Sequence, residues 1–171
     1  MKGTVILSHG LESGPNATKV TALAAVAEGL GWASIRPDYR DLDASRDVEA
    51  VTARMQRALD AAPAEGRVVF AGSSMGAFIS GFASTRRDCA ALFLMALPVG
   101  IRGYSFDYEA AAVPTVLVHG WRDELCPVDA VIEFARGRGD TLHLVDDEHR
   151  LSGHVDYCAG AFRQLLVTLD S

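Results

Sequence analysis

Short runs of apolar, often β-branched residues alternate along the chain with longer segments in which apolar residues recur every three or four positions. Glycine, proline or polar residues bound the short runs, a pattern that is typical of strands. Six strands are predicted, at residues 3–8, 32–36, 67–72, 90–97, 114–119 and 142–145. The fourth run is apolar throughout, which indicates a central parallel strand that is covered on both faces.

The longer segments have the spacing of amphipathic helices. Helices are predicted at residues 17–30, 75–84, 128–136 and 155–169, and another begins at residue 45. In the C-terminal helix, Cys158, Phe162 and Leu165 belong to one apolar stripe. Strands that alternate with helices are joined by right-handed crossovers. The pattern therefore predicts an α/β fold with a doubly wound, mainly parallel six-stranded sheet flanked by helices.

The composition limits the classes of protein that this chain can represent. With 171 residues, 49% of them hydrophobic, the chain is long enough for one core and too short for two, so residues 1–171 are predicted to form a single domain. The net charge of -6 disfavours a nucleic acid or an anionic membrane as a partner. Three cysteines without C-x-x-C spacing, and no long apolar run, favour a reduced, cytoplasmic protein. The oligomeric state stays open.

A candidate nucleophile lies where the third predicted strand meets its helix. The pentapeptide G-x-S-x-G spans Gly72, Ser74 and Gly76. Between a strand and a helix, this pattern is typical of a nucleophile elbow, a turn so sharp that only glycine-sized residues fit two positions before and after the serine. Ser73 is the alternative serine, but only Ser74 has the correct flanks. A simple glycine-serine turn between a strand and a helix is the alternative interpretation of the motif.

Partners for this serine are expected in the loops at the carboxyl ends of the other parallel strands, where functional residues of such sheets gather. Asp123 follows the fifth predicted strand, and His149 follows the sixth. His154 is the alternative base, but it adjoins the final helix, where a capping or surface role is more natural. We therefore predict a catalytic triad of Ser74, Asp123 and His149.

These three residue types suit acyl transfer to a serine. A serine hydroxyl attacks well only when a base takes its proton, and an imidazole with an ordinary pKa near 6.5 can do so at neutral pH. Asp123 would fix the imidazole tautomer and stabilise the imidazolium. Backbone N–H groups must meet the oxyanion that forms. The predicted donors are Met75, at the start of its helix, and Leu11, in the loop after the first strand.

Taken together, these motifs resemble the α/β-hydrolase superfamily, and in particular small bacterial esterases and thioesterases without a lid. The resemblance covers nearly the whole chain, and the order Ser, Asp, His is the order of that family. The matching segments are the oxyanion loop His9-Gly10, the elbow 72–76, the acid loop 120–123 with Pro127, and the histidine loop 147–149.

Two departures from the family pattern shape the expected substrate. The two strands that usually precede the oxyanion-loop strand have no counterpart, and about fifteen residues separate predicted strands four and five, too few for a large lid. The resemblance therefore implies an open, shallow site for small acyl esters or thioesters. Acyl transfer, amide or peptide hydrolysis on the same triad, and a non-catalytic binding protein of this fold remain alternatives, because a fold and a triad do not fix the reaction.

Several other residues are weaker candidates. Trp121, Leu125 and Tyr104 are predicted to line the substrate site, with ordinary loop packing as the alternative, and Cys126 lies close enough in sequence to join them. The five histidines lack the H-x-x-x-H spacing of a helical metal site. We therefore expect neither a metal nor a cofactor.

Overall fold

A computed structural model describes residues 1–44, 48–101, 103 and 107–171, apart from the side chains of residues 48 and 49. Six strands form one sheet, and every neighbouring pair is parallel. Their bounds are β1 (Thr4–Ser8), β2 (Ala33–Ile35), β3 (Val68–Ser73), β4 (Ala91–Met95), β5 (Thr115–Gly120) and β6 (Thr141–Val145). The strand order is β2-β1-β3-β4-β5-β6. The predicted parallel sheet is therefore confirmed, although β2 is shorter than predicted.

Among the described residues, five α-helices connect and follow the strands, in addition to a short 3-10 helix at Arg40–Leu42 that the sequence pattern did not predict. Their bounds are α1 (Thr18–Gly29), α2 (Val48–Ala61), α3 (Met75–Ser84), α4 (Val128–Arg138) and α5 (Val155–Leu169). The bounds of α3 and α5 coincide with the predicted ones. Within the part of the chain that the structure describes, no helix combines the length and apolar character needed to cross a membrane.

Helices cover both faces of the sheet, as the doubly wound prediction requires. Successive residues of a strand point to opposite faces. In β3, Val69 lies in one buried cluster with residues of α1 and α5, whereas Phe70 lies in a second cluster with residues of α2, α3 and α4. Burying each large apolar side chain contributes about 1.5–3 kcal/mol. The two cores together hold β3 and β4 rigidly in the middle of the fold.

The strand order reverses between β1 and β3. The chain leaves β1 towards β2 at one edge and then crosses back to place β3 on the other side of β1. Loops leaving two strands at such a point diverge and open a crevice at the carboxyl edge of the sheet. The helix α3 approaches β1 so closely here that a Cβ on Gly76 would overlap the carbonyl oxygen of Ser8. The crevice therefore lies directly above the turn that carries Ser74.

The connection between β4 and β5 bears on access to this crevice. Residues 96–101, 103 and 107–114, the described part of that connection, contain no helix. The described part of this connection thus contains no helical lid that could cover the carboxyl edge of the sheet.

Candidate active site

The backbone turns sharply at Ser74, between β3 and α3. Ser74 has φ 56° and ψ −121°, in the positive-φ region where a non-glycine residue is strained by about 1–3 kcal/mol. Its N–H donates to the carbonyl of Met95 at 2.9 Å, which ties the turn to β4. A Cβ on Gly72 would overlap the backbone of Gly76, and a Cβ on Gly76 would overlap the carbonyl oxygen of Ser8. Both flanking positions therefore need glycine. The turn directs the hydroxyl of Ser74 into the crevice at the carboxyl edge.

His149 connects this serine to a buried carboxylate. Its Nδ1 lies 2.8 Å from Oδ2 of Asp123, and its Nε2 lies 2.9 Å from Oγ of Ser74. Because an ionised carboxylate can only accept, Nδ1 carries the proton and donates to Asp123. Nε2 is then the acceptor for the O–H of Ser74. The structure thus brings together the three residues that the sequence nominated from three separate loops.

Three hydrogen bonds hold the carboxylate of Asp123, and a second imidazole lies beside it. Its Oδ1 accepts the N–H groups of Leu125 at 2.9 Å and Cys126 at 2.8 Å. Its Oδ2 accepts Nδ1 of His149 and also lies 3.4 Å from Nε2 of His119. Burial raises the pKa of Asp123, but the hydrogen bonds from His149 and Cys126 outweigh burial and hold that pKa below its ordinary value. Asp123 is therefore ionised at neutral pH.

The loop that carries His149 is held by a second carboxylate, Asp147. Oδ1 of Asp147 accepts the N–H of Glu148 at 2.7 Å, and Oδ2 accepts the N–H of Gly153 at 3.0 Å and Nδ1 of His154 at 2.8 Å. The side chain of His154, the alternative base, is therefore hydrogen-bonded to Asp147. The ring of His149 is the one that lies beside Ser74. We expected His154 to have a capping or surface role. It is the residue before α5, but its side chain makes no capping hydrogen bond to that helix.

The loop after β1 lies against Ser74. A Cβ on Gly10 would lie 3.3 Å from the carbonyl oxygen of Ser73 and 3.4 Å from Cβ of Ser74. Nε2 of His9 accepts the N–H of Tyr39 at 3.0 Å, so the proton of this ring is on Nδ1, which donates to the carbonyl of Gly10 at 2.8 Å. The N–H of Leu11 belongs to the same peptide unit as this carbonyl and points the opposite way.

The other predicted oxyanion donor is Met75, the first residue of α3. The N–H groups of a first helical turn have no acceptor within the helix and carry the positive end of the helix dipole. Met75 directly follows Ser74, so its N–H is available on the nucleophile side of the crevice.

A buried arginine below the oxyanion loop was missed by the sequence analysis. Arg54 of α2 is 0% exposed and donates from Nη2 to Oδ1 of Asp43 at 2.8 Å. The other oxygen of Asp43 accepts the N–H of Glu12 at 3.2 Å. This chain of contacts anchors the residue after Leu11. No sequence signal distinguishes Arg54 from Arg57, the other arginine of the same helix, which is partly exposed.

The predicted substrate-contacting residues differ in placement. Trp121 and Leu125, in the loop after β5, are 54% and 75% exposed. Leu125 and Cys126 border a small cavity of about 70 Å³ between this loop and Leu97, Pro98 and Val99 after β4. Tyr104 lies outside the described residues.

A larger cavity of about 600 Å³, bordered by Pro114 and Thr141 among others, is at the opposite, amino end of β5 and β6 and takes no part in this site.

The acid end of the site also contains a possible metal-ligand set. One ligand atom each from Asp123, Cys126 and His149 lie within 4.8 Å of one another, the one such group among the residues that the structure describes. Carboxylate, thiolate and imidazole would suit Zn²⁺. However, burial raises the pKa of Cys126 to about 12, so its sulfur is a protonated thiol at neutral pH. Asp123 and His149, in turn, are already hydrogen-bonded to each other.

A solved structure places the chain in a family. A protein from Xanthomonas campestris pv. campestris, a candidate hydrolase of the alpha/beta superfamily, is 48% identical to this chain over 97% of its length and 99% of the other chain, with a TM-score of 0.92. The chain belongs to the α/β-hydrolase superfamily. No protein-family model matches this α/β-hydrolase, and no curated protein does.

More distant solved structures share the fold of this α/β-hydrolase. A serine hydrolase without a lid from Xanthomonas campestris is 22% identical, with a TM-score of 0.71 over 94% of this chain and 79% of its own. Mouse alpha/beta hydrolase domain-containing protein 10 is 21% identical, with a TM-score of 0.78 over 99% of this chain and 92% of its own. At these identities the likeness shows the architecture alone.

Proposed function

We propose that this α/β-hydrolase is a serine hydrolase that cleaves carboxylic ester or thioester bonds of small acyl substrates through an acyl-enzyme. The observation that carries the proposal is the continuous hydrogen-bonded path from Ser74 Oγ through both nitrogens of His149 to Asp123, with distances of 2.9 and 2.8 Å. A nucleophile, a base within reach of its proton, and a third group that orients the base are the arrangement that activates serine for acyl chemistry.

In the first half of the proposed reaction, Oγ of Ser74 attacks the substrate carbonyl carbon while its proton moves to Nε2 of His149. The tetrahedral intermediate carries a negative oxygen, for which the N–H groups of Met75 and Leu11 are the proposed donors. One such donor is typically worth about 2.7–4 kcal/mol of transition-state stabilisation. The intermediate collapses when the bond to the leaving oxygen or sulfur breaks, and His149 gives its proton to that leaving group.

In the second half, water takes the place of the departed alcohol or thiol. Neutral His149 accepts a proton from the water as its oxygen attacks the acyl carbon, and the bond to Ser74 Oγ breaks. The proton then returns from His149 to Ser74, which releases the carboxylic acid and restores the enzyme. Ionised Asp123 stabilises the imidazolium in both halves and keeps the proton of the neutral ring on Nδ1.

The surroundings of Ser74 support a small acyl group. The cavity beside the acid loop measures about 70 Å³, and Leu125 and Trp121 project from that loop into solvent. We propose that these two residues, together with Tyr104, contact the acyl or leaving group at an open rim.

A fluorophosphonate probe tests the nucleophile. Intact-mass spectrometry should show one phosphonate adduct, lost in Ser74→Ala and kept in Ser73→Ala, the neighbouring serine in β3. Labelling that persists in Ser74→Ala would overturn the proposal, and a wild-type protein that takes no label would favour a non-catalytic binding protein.

Substrate screening tests the bond type. p-Nitrophenyl esters and acyl-CoA thioesters of graded chain length should show highest kcat/KM at short acyl lengths. Turnover of amides alone, or turnover that requires an added acyl acceptor other than water, would instead favour the amidase or acyltransferase alternatives on the same three residues.

A further inference from the structure

A second imidazole lies behind the acid of the site. His119, near the end of β5, is 1% exposed. Its Nε2 lies 2.8 Å from the carbonyl oxygen of Cys126 and 3.4 Å from Oδ2 of Asp123. Its Nδ1 is buried and has no hydrogen-bond partner among the described residues. The proposed reaction makes no use of this ring, although Nε2 lies beside the carboxylate of Asp123.

The surroundings of His119 determine its protonation. Both neighbours of Nε2 are acceptors, so the ring carries its proton on Nε2. The unpartnered Nδ1 would have to bear a second proton without an acceptor if the ring became cationic, which is costly in a buried site. The titratable groups that act on the ring are Asp123 and His149, and Cys126 contributes its backbone carbonyl. Burial lowers the pKa of His119 more than Cys126 and Asp123 raise it, in agreement with a neutral ring.

We infer that His119 is a positioning residue whose neutral Nε2–H acts as a clamp: it donates to the Cys126 carbonyl and so closes the Asp123–Cys126 turn beside Oδ2 of Asp123, the oxygen that His149 also contacts. This inference rests on the proposed serine hydrolase function. The two ends of the turn meet at Nε2, which donates to the Cys126 carbonyl and lies 3.4 Å from Oδ2 of Asp123, while the Cys126 N–H donates back to Oδ1 of Asp123. A residue of β5 thereby fixes the turn that holds the carboxylate.

Because His119 is neutral, it adds no positive charge near His149, the proposed base. A lysine or arginine behind Asp123 would place a positive charge close to His149 and disfavour the imidazolium that forms during attack. A neutral imidazole orders the turn through the Cys126 carbonyl without adding that charge. It also reduces the basicity of Asp123 through the turn, because the Cys126 N–H that it helps to hold in place lowers the pKa of that carboxyl.

The test compares His119→Met, which removes the N–H at similar volume, with His119→Gln, whose amide can donate from about the same place. The readout is the second-order rate constant of fluorophosphonate labelling at Ser74 as a function of pH.

We expect the His119→Met protein to be labelled on the order of tenfold more slowly than wild type. Its half-maximal pH should rise by about half a unit, because Asp123 gains basicity and favours protonated His149. His119→Gln should recover both the rate and the midpoint. His143→Met, a histidine of β6, is the matched control and should behave as wild type.

Two results would overturn the inference. One is a folded His119→Met protein with the wild-type rate and pH midpoint. The other is an equal slowing in both His119 variants with no change in midpoint, which would indicate packing alone.

Nitrogen-15 NMR of the wild-type rings gives a readout that needs neither activity nor a folded variant. We expect His119 to keep its proton on Nε2 from pH 5.5 to 8, and a cationic ring or a proton on Nδ1 in that range would refute the clamp. Wild-type protein that takes no label would refute the proposed function, whereas the NMR result would still test His119.

Discussion

Nδ1 of His154 lies 2.8 Å from Oδ2 of Asp147, so the two histidines of the loop after β6 have different carboxylate partners. His149 is paired with Asp123, and its other ring nitrogen reaches Oγ of Ser74. His154 is paired within its own loop, and Asp147 also holds the N–H of Gly153. One histidine is therefore arranged for proton transfer, and the other for holding the loop.

This difference predicts unequal effects of two alanine substitutions. His149→Ala should reduce turnover and phosphonate labelling by about 10⁴-fold or more, because no group remains to take the proton of Ser74. His154→Ala should retain most of the labelling and mainly destabilise the loop. The measurement is the labelling rate of each folded variant. An active His149→Ala protein would assign the base to His154.

The Asp147 contacts also predict a pH dependence of stability. The hydrogen bond from His154 lowers the pKa of Asp147 more than burial raises it, so that pKa lies below its ordinary value of 3.8. A carboxyl group with a lowered pKa stabilises the fold at pH values above its unfolded pKa, and this contribution is lost as the pH falls through the folded pKa. The free energy of unfolding should therefore drop from pH 3.8 downward.

Asp147→Asn should show a smaller acid drop than wild type and a cost of about 1–3 kcal/mol at pH 7. Asp146→Asn is the control, since Asp146 is exposed and its ion pair with Arg122 is worth little. Urea unfolding at a series of pH values measures both variants. Parallel pH curves for wild type and Asp147→Asn would show that this carboxyl does not carry the effect.

Most of the fold could be predicted because the signals were local. Hydrophobic period separates strands from helices, and glycine and proline mark where each ends. For this reason the bounds of α3 and α5 match the structure, and Asp123 and His149 could be nominated simply by following the predicted strands to their carboxyl ends. The order in which strands pair cannot be derived in this way, because it depends on contacts between residues far apart in the chain.

The network around the site was harder to predict because it depends on burial. Arg54 lies on a helix with other charged residues, and only the tertiary structure shows that it is enclosed and paired with Asp43. The tautomers of His9 and His119 follow from backbone acceptors and donors that no side-chain pattern records. Leu125, predicted to line the substrate site, borders the small cavity but is 75% exposed, and its backbone N–H donates to Asp123, which no side-chain pattern indicates.

Replacing the buried carboxylate of Asp123 by an amide should strongly reduce turnover. In Asp123→Asn, an amide N–H can face His149 and favour the tautomer with its proton on Nε2, which cannot accept from Ser74. Turnover should fall by about 10⁴-fold, with little change in KM. Glu124→Gln, the next residue and an exposed one, is the control. Steady-state kinetics on a short p-nitrophenyl ester measures both, and near wild-type turnover in Asp123→Asn would remove Asp123 from the proposed triad.

The open carboxyl edge predicts ordinary saturation kinetics. Residues 96–101, 103 and 107–114 contain no helix that could move aside at a lipid surface. Hydrolysis rates should therefore rise smoothly with the concentration of a short-chain ester through its critical micelle concentration. A mono-dispersed substrate of the same acyl length provides the reference curve. A sharp increase in rate at the micelle concentration would show that some part of the chain closes over the site.

The contact between α3 and β1 predicts that Gly76 cannot carry a side chain. A Cβ there would overlap the carbonyl of Ser8, and it would also lie 2.8 Å from the carbonyl of His9, so backbone rather than a mobile side chain would have to move. Gly76→Ala should lower the free energy of unfolding by about 3 kcal/mol or more, or prevent folding, and should displace Ser74 from His149.

Gly160 gives the matched substitution, because it lies in α5 with open space around the position of a Cβ. Gly160→Ala should stabilise the protein by about 0.5–1 kcal/mol, since alanine loses less backbone freedom in a helix than glycine does. Thermal and urea unfolding of the two variants, with phosphonate labelling of any folded Gly76→Ala protein, make the comparison. If Gly76→Ala were as stable and as readily labelled as Gly160→Ala, the close approach of α3 to β1 would not be what holds Ser74 in place.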